Sequence, residues 1–312
     1  MRVLLTGASG FVGARLAQSL LESGAEVINV GRRPCPVADV ENVLVSSLTT
    51  EHLRDALSRI ETIDGLVHLA AAGVNPGDRD RDAIYAVNAA LAPKIVSFGA
   101  ELGARAIVTV GSSAEYRAPS AAKAFDEDAP FETAKIYGAS KAAGGLLALA
   151  EGSAINIPVG HVRLFNVYGP GEAPHRLLPS LARSLNANEP VPLSPGTQTR
   201  DFVHVDDACE GLMVALDALL MRKMRSGAYN LATGTGTTVA DFARQVAIAM
   251  RADPALLQFG ALAFRPDDLP YVVGDPSKLN NACDWTARMT VADGVASAVA
   301  ALRFENKHKS TD

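Results

Sequence analysis

Arg2-Val3-Leu4-Leu5-Thr6-Gly7-Ala8-Ser9-Gly10-Phe11-Val12-Gly13 opens the chain. Residues 2–6 read as a buried strand, and the stretch from Gly7 to Gly13 turns it into a helix running to about Ser23. Glycines at 7, 10 and 13 let the backbone turn tightly and let a pyrophosphate reach the free N–H groups at the helix start. The spacing is G-x-x-G-x-x-G rather than the commoner G-x-G-x-x-G. Three glycines alone mark only a turn; placed between a strand and a helix, they predict a dinucleotide site that includes Gly7, Ser9, Gly10, Phe11, Val12 and Gly13.

Outward from that turn, strands are expected at Ala25–Val30, Val43–Ser47, Gly65–Ala70 and Arg105–Gly111, with helices near 50–58 and 80–101. This alternation predicts an α/β fold, a Rossmann-like doubly wound parallel sheet covered on both faces. An NAD site usually ends its second strand on Asp or Glu, which accepts from the ribose 2′-hydroxyl. Here the residues are Gly31-Arg32-Arg33. Two guanidiniums offer planar donors to a 2′-phosphate that an acid would repel, so Arg32 and Arg33 favour NADP, with NAD as the alternative. Ser47 and Leu48 after the third strand, and Leu69, Ala70 and Ala71 after the fourth, are further cofactor-binding candidates. Asn88 on the next helix is another, placed either to pin local backbone or to face solvent.

The chain has 312 residues, 48% hydrophobic and 20% charged, enough for a large core and two lobes. A net charge of −5, with no dense basic block before Lys307-His308-Lys309, argues against nucleic acid or an anionic membrane as partner. Cys35, Cys209 and Cys283 are far apart and form no C-x-x-C, so neither a disulfide framework nor a zinc site is expected. Interrupted apolar runs and the lack of a signal-peptide pattern imply a cytoplasmic protein.

Two stretches carry the chemistry. Gly111-Ser112-Ser113-Ala114-Glu115-Tyr116 sets a hydroxyl at the C-terminal end of a central strand, where it can donate to a carbonyl oxygen that becomes an alkoxide. Beyond a loop from Pro119 to Pro130, a candidate lid, lies Tyr137-Gly138-Ala139-Ser140-Lys141. On a helix this spacing sets Tyr137 and Lys141 on one face, and an ammonium there is expected to lower the phenol's pKa toward working pH.

Taken together, the chain resembles the extended short-chain dehydrogenase/reductase family, in particular its nucleotide-sugar epimerases, dehydratases and reductases. The resemblance rests on the glycine turn, the Ser112–Tyr116 segment and the Tyr137–Lys141 motif. It extends to Arg163-Leu164-Phe165-Asn166-Val167-Tyr168-Gly169-Pro170 and to Gln198-Thr199-Arg200-Asp201-Phe202-Val203-His204-Val205-Asp206-Asp207. It implies a dinucleotide-binding lobe over 1–165, with 200–225 returning to it. A lobe over 166–199 and 226–312 would then grip a nucleoside diphosphate-sugar. It also implies Tyr137 as acid/base, Lys141 as its partner and anchor of the nicotinamide ribose, and Ser112 as the carbonyl donor, Ser113 being the competing serine. Ser113, Asn166, Arg200 and Arg265 would hold substrate, and the protein would form a homodimer through helices near 85–101 and 138–151.

Departures narrow the activity. Family dehydratases that remove water across C5 and C6 carry Asp-Glu directly after the serine or threonine; this chain has Ser113-Ala114. Gly31 replaces the acid usual in NAD epimerases, Ser47 the aspartate after strand three, and Arg117 a glycine. The expected activity is that of an oxidoreductase, the NADPH-dependent reduction of a nucleoside diphosphate-4-keto-6-deoxy sugar or its reverse. An NAD-dependent nucleotide-sugar 4-epimerase and a non-enzymatic dinucleotide-sensing scaffold are the alternatives. In the second half a strand is expected at Val162–Val167 and helices at His175–Leu185, Asp206–Leu220 and Val239–Met250. His204 reads as structural, and Asp206-Asp207 as a helix cap rather than a metal site. Lys307–Asp312 reads as a frayed tail.

Overall fold

The computed structural model describes residues 1–75, 77–118, 122–265 and 268–309, with side chains as far as residue 302. The first half runs β1 (Arg2–Thr6), α1 (Phe11–Glu22), β2 (Glu26–Gly31), β3 (Glu41–Leu44), α2 (Thr50–Leu57), β4 (Gly65–His68) and α3 (Arg81–Ile84). A π-helical turn at Tyr85–Ala90 leads into α4 (Leu91–Glu101), β5 (Ala106–Ser112) and α5 (Ile136–Ala154). There follow β6 (Val159–Leu164), β7 (Asn166–Tyr168), α6 (Leu177–Asn186), β8 (Val191–Leu193), β9 (Thr199–His204), α7 (Val205–Leu220) and β10 (Gly227–Leu231). The chain closes with β11 (Gly236–Thr238), α8 (Val239–Met250), β12 (Leu257–Phe259), β13 (Tyr271–Val272), α9 (Ser277–Cys283) and α10 (Val291–Lys309).

Seven strands form one sheet in the order β10-β6-β5-β4-β1-β2-β3. Every pair is parallel. Such a sheet needs cover on both faces, and its central strands are accordingly apolar on both: β4 is buried throughout and β5 through Gly111. One face packs Leu16 and Leu20 of α1 with Leu212 and Leu216 of α7. The other packs Leu53 of α2 with Ile95 and Phe98 of α4. Each such fully buried side chain contributes about 2 kcal/mol. Because β2 lies on one side of β1 and β4 on the other, the connections leaving β1 and β4 diverge and open a crevice at their C-terminal ends.

A smaller sheet is built around β9, which pairs with β11 and β13 and also with β7; β12 and β8 form a separate parallel pair. Phe202 of β9 stacks on Phe242 of α8, 4.1 Å between centroids, with Tyr168 edge-on to both.

Several boundaries differ from expectation. The third strand stops at Leu44, short of Ser47. The expected strand over 162–167 is two strands in different sheets, because Phe165 turns between them and its N–H donates to Leu231 O at 3.3 Å. After the smaller-sheet strand β9, α7 packs on the large sheet and β10 pairs with β6 in it. α7 is capped by His204, whose Nδ1 accepts from the Asp206 N–H at 3.3 Å, so the aspartates sit inside its first turn. Lys307–Lys309 remain helical. The run Arg81–Glu101 is long and apolar enough to cross a membrane, yet here its buried side packs the sheet and α5. Phe125 is pinned to Val273 by its N–H at 2.8 Å and stacks on Tyr116, so the second half of the expected lid is fastened down. Pro119–Ala121 of that lid, and Pro266 and Asp267, lie outside the described residues.

Candidate active site

The glycine turn is a backbone cradle. Gly7 has φ +80°, and a Cβ there would lie 2.7 Å from Ala70 N and 2.9 Å from Leu69 C. A Cβ on Gly13 would lie 2.8 Å from Ala8 Cα. Gly10, the N-cap of α1, has no side chain to cap the amides of Phe11, Val12 and Gly13, while its own N–H donates to Gly7 O at 3.0 Å. Thr6 ties β1 to β4, its hydroxyl 2.6 Å from His68 Nδ1 and accepting from Ala70 N at 3.3 Å. Leu69, Ala70 and Ala71 therefore border the turn, and Ser9 is partly open beside it. A tightly packed glycine backbone and helix-start amides that no side chain caps suit the pyrophosphate of a dinucleotide.

Other cofactor candidates fall into place less evenly. Arg32 and Arg33 are exposed just beyond β2, and Asn29 Nδ2 holds Arg33 O at 3.2 Å. Ser47 is engaged with His52 Nδ1 at 3.0 Å, and Leu48 packs into the α2 core, both on the loop entering α2. Asn88 is buried in the π-helical turn, where its amide accepts from Ala72 N at 2.9 Å and donates to Ala72 O and to Ser140 Oγ at 3.0 and 3.1 Å. Asn88 thus holds the stretch after β4 and α5 together.

Ser112 and Tyr137 are brought together, with Lys141 at the same end of β5. α5 brings the Tyr137 ring against Gly73, just past the bordering alanines, where a Cβ would lie 3.5 Å from Tyr137 Cδ2. The Ser112 side chain lies close enough to the phenol to act on its charge state. Ser113 instead lies in the 3₁₀ turn Ser113–Glu115, which Ser112 caps. Lys141 Nζ is buried and donates to Val110 O at 2.6 Å, near the C-terminal end of β5. The electrostatics differ from expectation. Burial pushes the Tyr137 phenol above its ordinary pKa, with Ser112 and Arg176 opposing that shift and Glu115 adding to it. The ammonium serves the Val110 carbonyl, and its own pKa is lowered by burial, with Glu115 opposing.

On the substrate side, Asn166 begins β7, opposite Phe202 of β9. Arg200 of β9 donates to Thr199 O at 2.8 Å and forms an ion pair with Asp268. Gln198 Nε2 reaches the other Asp268 oxygen at 3.0 Å. Arg265 is exposed on the same loop. Arg200 and the Arg265 loop are thus brought together, through an aspartate that the reading of the motifs did not single out.

Sequence reasoning also passed over Glu172, whose side chain is 5% exposed and pairs with Arg176 at 3.2 Å, and over Glu115 with His161 and Arg163. The signal for the latter group was present. His161 and Arg163 alternate on a strand otherwise apolar, and buried polar groups need partners. No cluster able to hold a metal occurs among the described residues.

Residues 3–232 match the model of the NAD dependent epimerase/dehydratase family. The chain is 26% identical to a dTDP-glucose 4,6-dehydratase of Streptomyces griseus, over 99% of this chain and 95% of that protein. It is 29% identical to a dTDP-4-dehydro-6-deoxy-D-allose reductase of Streptomyces bikiniensis, over 91% of this chain and 90% of that one. Among solved structures, MoeE5 in complex with UDP-glucose and NAD superposes with a TM-score of 0.85 at 29% identity, over 98% of this chain and 100% of that chain.

Proposed function

The chain belongs to the NAD dependent epimerase/dehydratase family as an NAD(P)-dependent nucleotide-sugar enzyme, and we propose that within it the protein is an NADPH-dependent reductase of a nucleoside diphosphate-4-keto-6-deoxy sugar. The arrangement that carries this reading is the Ser112 hydroxyl beside the Tyr137 phenol near the glycine turn, with uncharged Ser113 and Ala114 next to it. Dehydration across C5 and C6 calls for a carboxylic acid and a carboxylate there; carbonyl reduction calls for one proton donor and one oxyanion partner.

The dinucleotide, when bound, supplies the hydride. Tyr137 gives its proton to the sugar carbonyl oxygen, and Ser112 donates to that oxygen as charge develops on it. A phenol with a raised pKa keeps its proton over the working range, which suits an acid; activity should persist until pH climbs toward that raised value. Lys141 contributes a buried ammonium at the end of β5, where the nicotinamide ribose is expected. Arg32 and Arg33 take the 2′-phosphate. Arg200 and Arg265 take the diphosphate, whose oxygens replace Asp268 on Arg200, and Asn166 and Ser113 face the sugar.

The second reading is a 4-epimerase, because UDP-glucose 4-epimerases stand among the relatives, one from Mycolicibacterium smegmatis at 25% identity. The same three groups serve an oxidation followed by re-reduction. A panel of nucleotide sugars separates the two. Net NADPH consumption with a 4-keto-6-deoxy sugar, faster than with NADH, is expected; isomerisation with no net cofactor change establishes the epimerase. Tyr137→Phe should lower kcat by about 10²–10⁴ with little change in KM, and undiminished turnover rejects the assigned donor. A homodimer through α4 and α5 is part of the same proposal, supported by the exposed Tyr85, Leu146 and Leu147 on those helices and the turn before them. Light scattering should give twice the chain mass; a monomer at working concentration removes it.

A further inference from the structure

Glu115 has no exposure to solvent, although it lies just past the C-terminal end of β5 and precedes a tyrosine in an otherwise apolar setting. Its carboxylate is fully engaged. One oxygen accepts from the Ser112 N–H at 2.9 Å and lies 3.0 Å from His161 Nε2; the other accepts from Arg163 Nε at 2.7 Å. The two partners come from alternate positions of β6 and are fixed in turn. His161 Nδ1 lies 2.9 Å from Thr109 Oγ1, and Arg163 Nη1 donates to Tyr116 OH at 2.7 Å and to Glu127 O at 3.1 Å.

Two glycines make the space. A Cβ on Gly111 would lie 2.5 Å from His161 Nε2, and one on Gly145 would lie 2.6 Å from His161 Cδ2. The group therefore occupies a cavity that β5, β6 and α5 leave for it. Gly111 and Ser112 separate it from Val110, whose carbonyl holds Lys141. Charged and titratable groups converge on this region from every packed element: Glu115 and Tyr116 after β5, His161 and Arg163 on β6, His68 on β4, Arg176 before α6, and Lys141 and Tyr137 on α5. Among the described residues Glu115 is the one carboxylate acting on both Tyr137 and Lys141.

We propose that Glu115 is a positioning residue: its carboxylate fixes the Ser112 amide, and with it the hydroxyl beside Tyr137, and its buried negative charge favours the protonated forms of Tyr137 and Lys141. His161 and Arg163 keep that carboxylate in place. The consequence for the proton donor has a definite sign. Glu115 holds both the phenol and the ammonium in their protonated forms, so removing its charge lets each lose its proton at lower pH. This inference rests on the reductase reading only for its kinetic half.

The test is Glu115→Gln, which keeps an acceptor for Ser112 N–H and removes the charge. Ultraviolet titration of the phenols, taken as the difference between each protein and its Tyr137→Phe counterpart, reads Tyr137 with neither sugar nor dinucleotide present. In Glu115→Gln this difference titration should move to lower pH; an unmoved titration overturns the charge role even if the substrate assignment also fails. With the 4-keto sugar, the alkaline limb of the kcat profile should move the same way, kcat falling about tenfold to a hundredfold while KM stays within about twofold. Glu115→Asp keeps the charge but draws the carboxylate back from Ser112. It should leave the phenol titration in place and still lower kcat about tenfold, and wild-type kcat in that variant overturns the positioning role. Should Glu115→Gln not fold, Glu115→Asp still tests the positioning role through kcat, and wild-type kcat there overturns the proposal.

Discussion

Glu115 and Asp201 are both carboxylates with no solvent exposure, one just past the C-terminal end of β5 in the seven-stranded sheet and one at the centre of the smaller sheet. Their partners differ in kind. Glu115 meets a guanidinium and an imidazole, whereas Asp201 meets only neutral donors: Thr233 N at 2.9 Å, Thr233 Oγ1 at 2.7 Å, Gly234 N at 3.0 Å and Gly274 N at 3.3 Å. Burial alone would raise both pKa values. For Asp201 it does, with the hydrogen bonds opposing; for Glu115 it is overcome by His161 and Arg163, which hold the group down at about 2. Here the neutral donors around Asp201 only soften the penalty of burying a charge, whereas the partners of Glu115 reverse it. The end of β5 thus carries a fixed charge arrangement suited to setting a proton donor. The smaller sheet uses its carboxylate as a clasp joining β9 to the loops after β10 and β13.

The largest way to break that comparison is Asp201→Asn. An amide turns N–H groups toward partners that are themselves donors, so at least one contact becomes unfavourable. The expected loss is about 1–3 kcal/mol, seen as a lower Tm, with the Tyr137 titration unchanged because no Asp201 contact reaches β5 or α5. An unchanged Tm would mean that the clasp is not needed. A shifted phenol titration would mean that the two regions are electrostatically one.

How much of this was legible follows the same division. The glycine turn and the Ser112, Tyr137, Lys141 set could be read because each depends on short-range spacing: a strand feeding a helix, a serine at a strand end, and a four-residue step on one helical face. The parallel sheet covered on both faces followed from alternation alone. What was missed depends on contacts distant in sequence. The π-helical turn forms where Asn88 clasps Ala72 and Ser140 and Gly144 packs against the Asn88 carbonyl, and periodicity cannot show that. β10 joins the large sheet beside β6, a partner more than sixty residues earlier in the chain. Lys141 was expected to lower the Tyr137 pKa because helical spacing sets the two side by side; the Val110 carbonyl takes the ammonium, and burial of the phenol decides the sign. Glu115 was quoted only as part of a motif, since its partners lie forty-six and forty-eight residues away.

The smallest effect is also the one that sharpens the comparison most, because the two carboxylates give opposite slopes of stability against pH. A carboxylate whose folded pKa is raised contributes stability that is full below its unfolded value, 3.8 for Asp201, and that is lost as pH rises through the folded value. A carboxylate whose folded pKa is depressed does the reverse: the Glu115 contribution is full above 4.5 and is lost as pH falls toward about 2. Mild acidification from neutrality should therefore tighten the loops that Asp201 clasps while leaving the Ser112 turn unaltered, and stronger acid should loosen the Ser112 turn. Hydrogen exchange, corrected for the intrinsic pH dependence of amide exchange, measures each region separately through peptides spanning 110–116 and 231–236. Protection that falls together in both peptides from the first step of acidification would show that the partners named here do not set the charge state of either group.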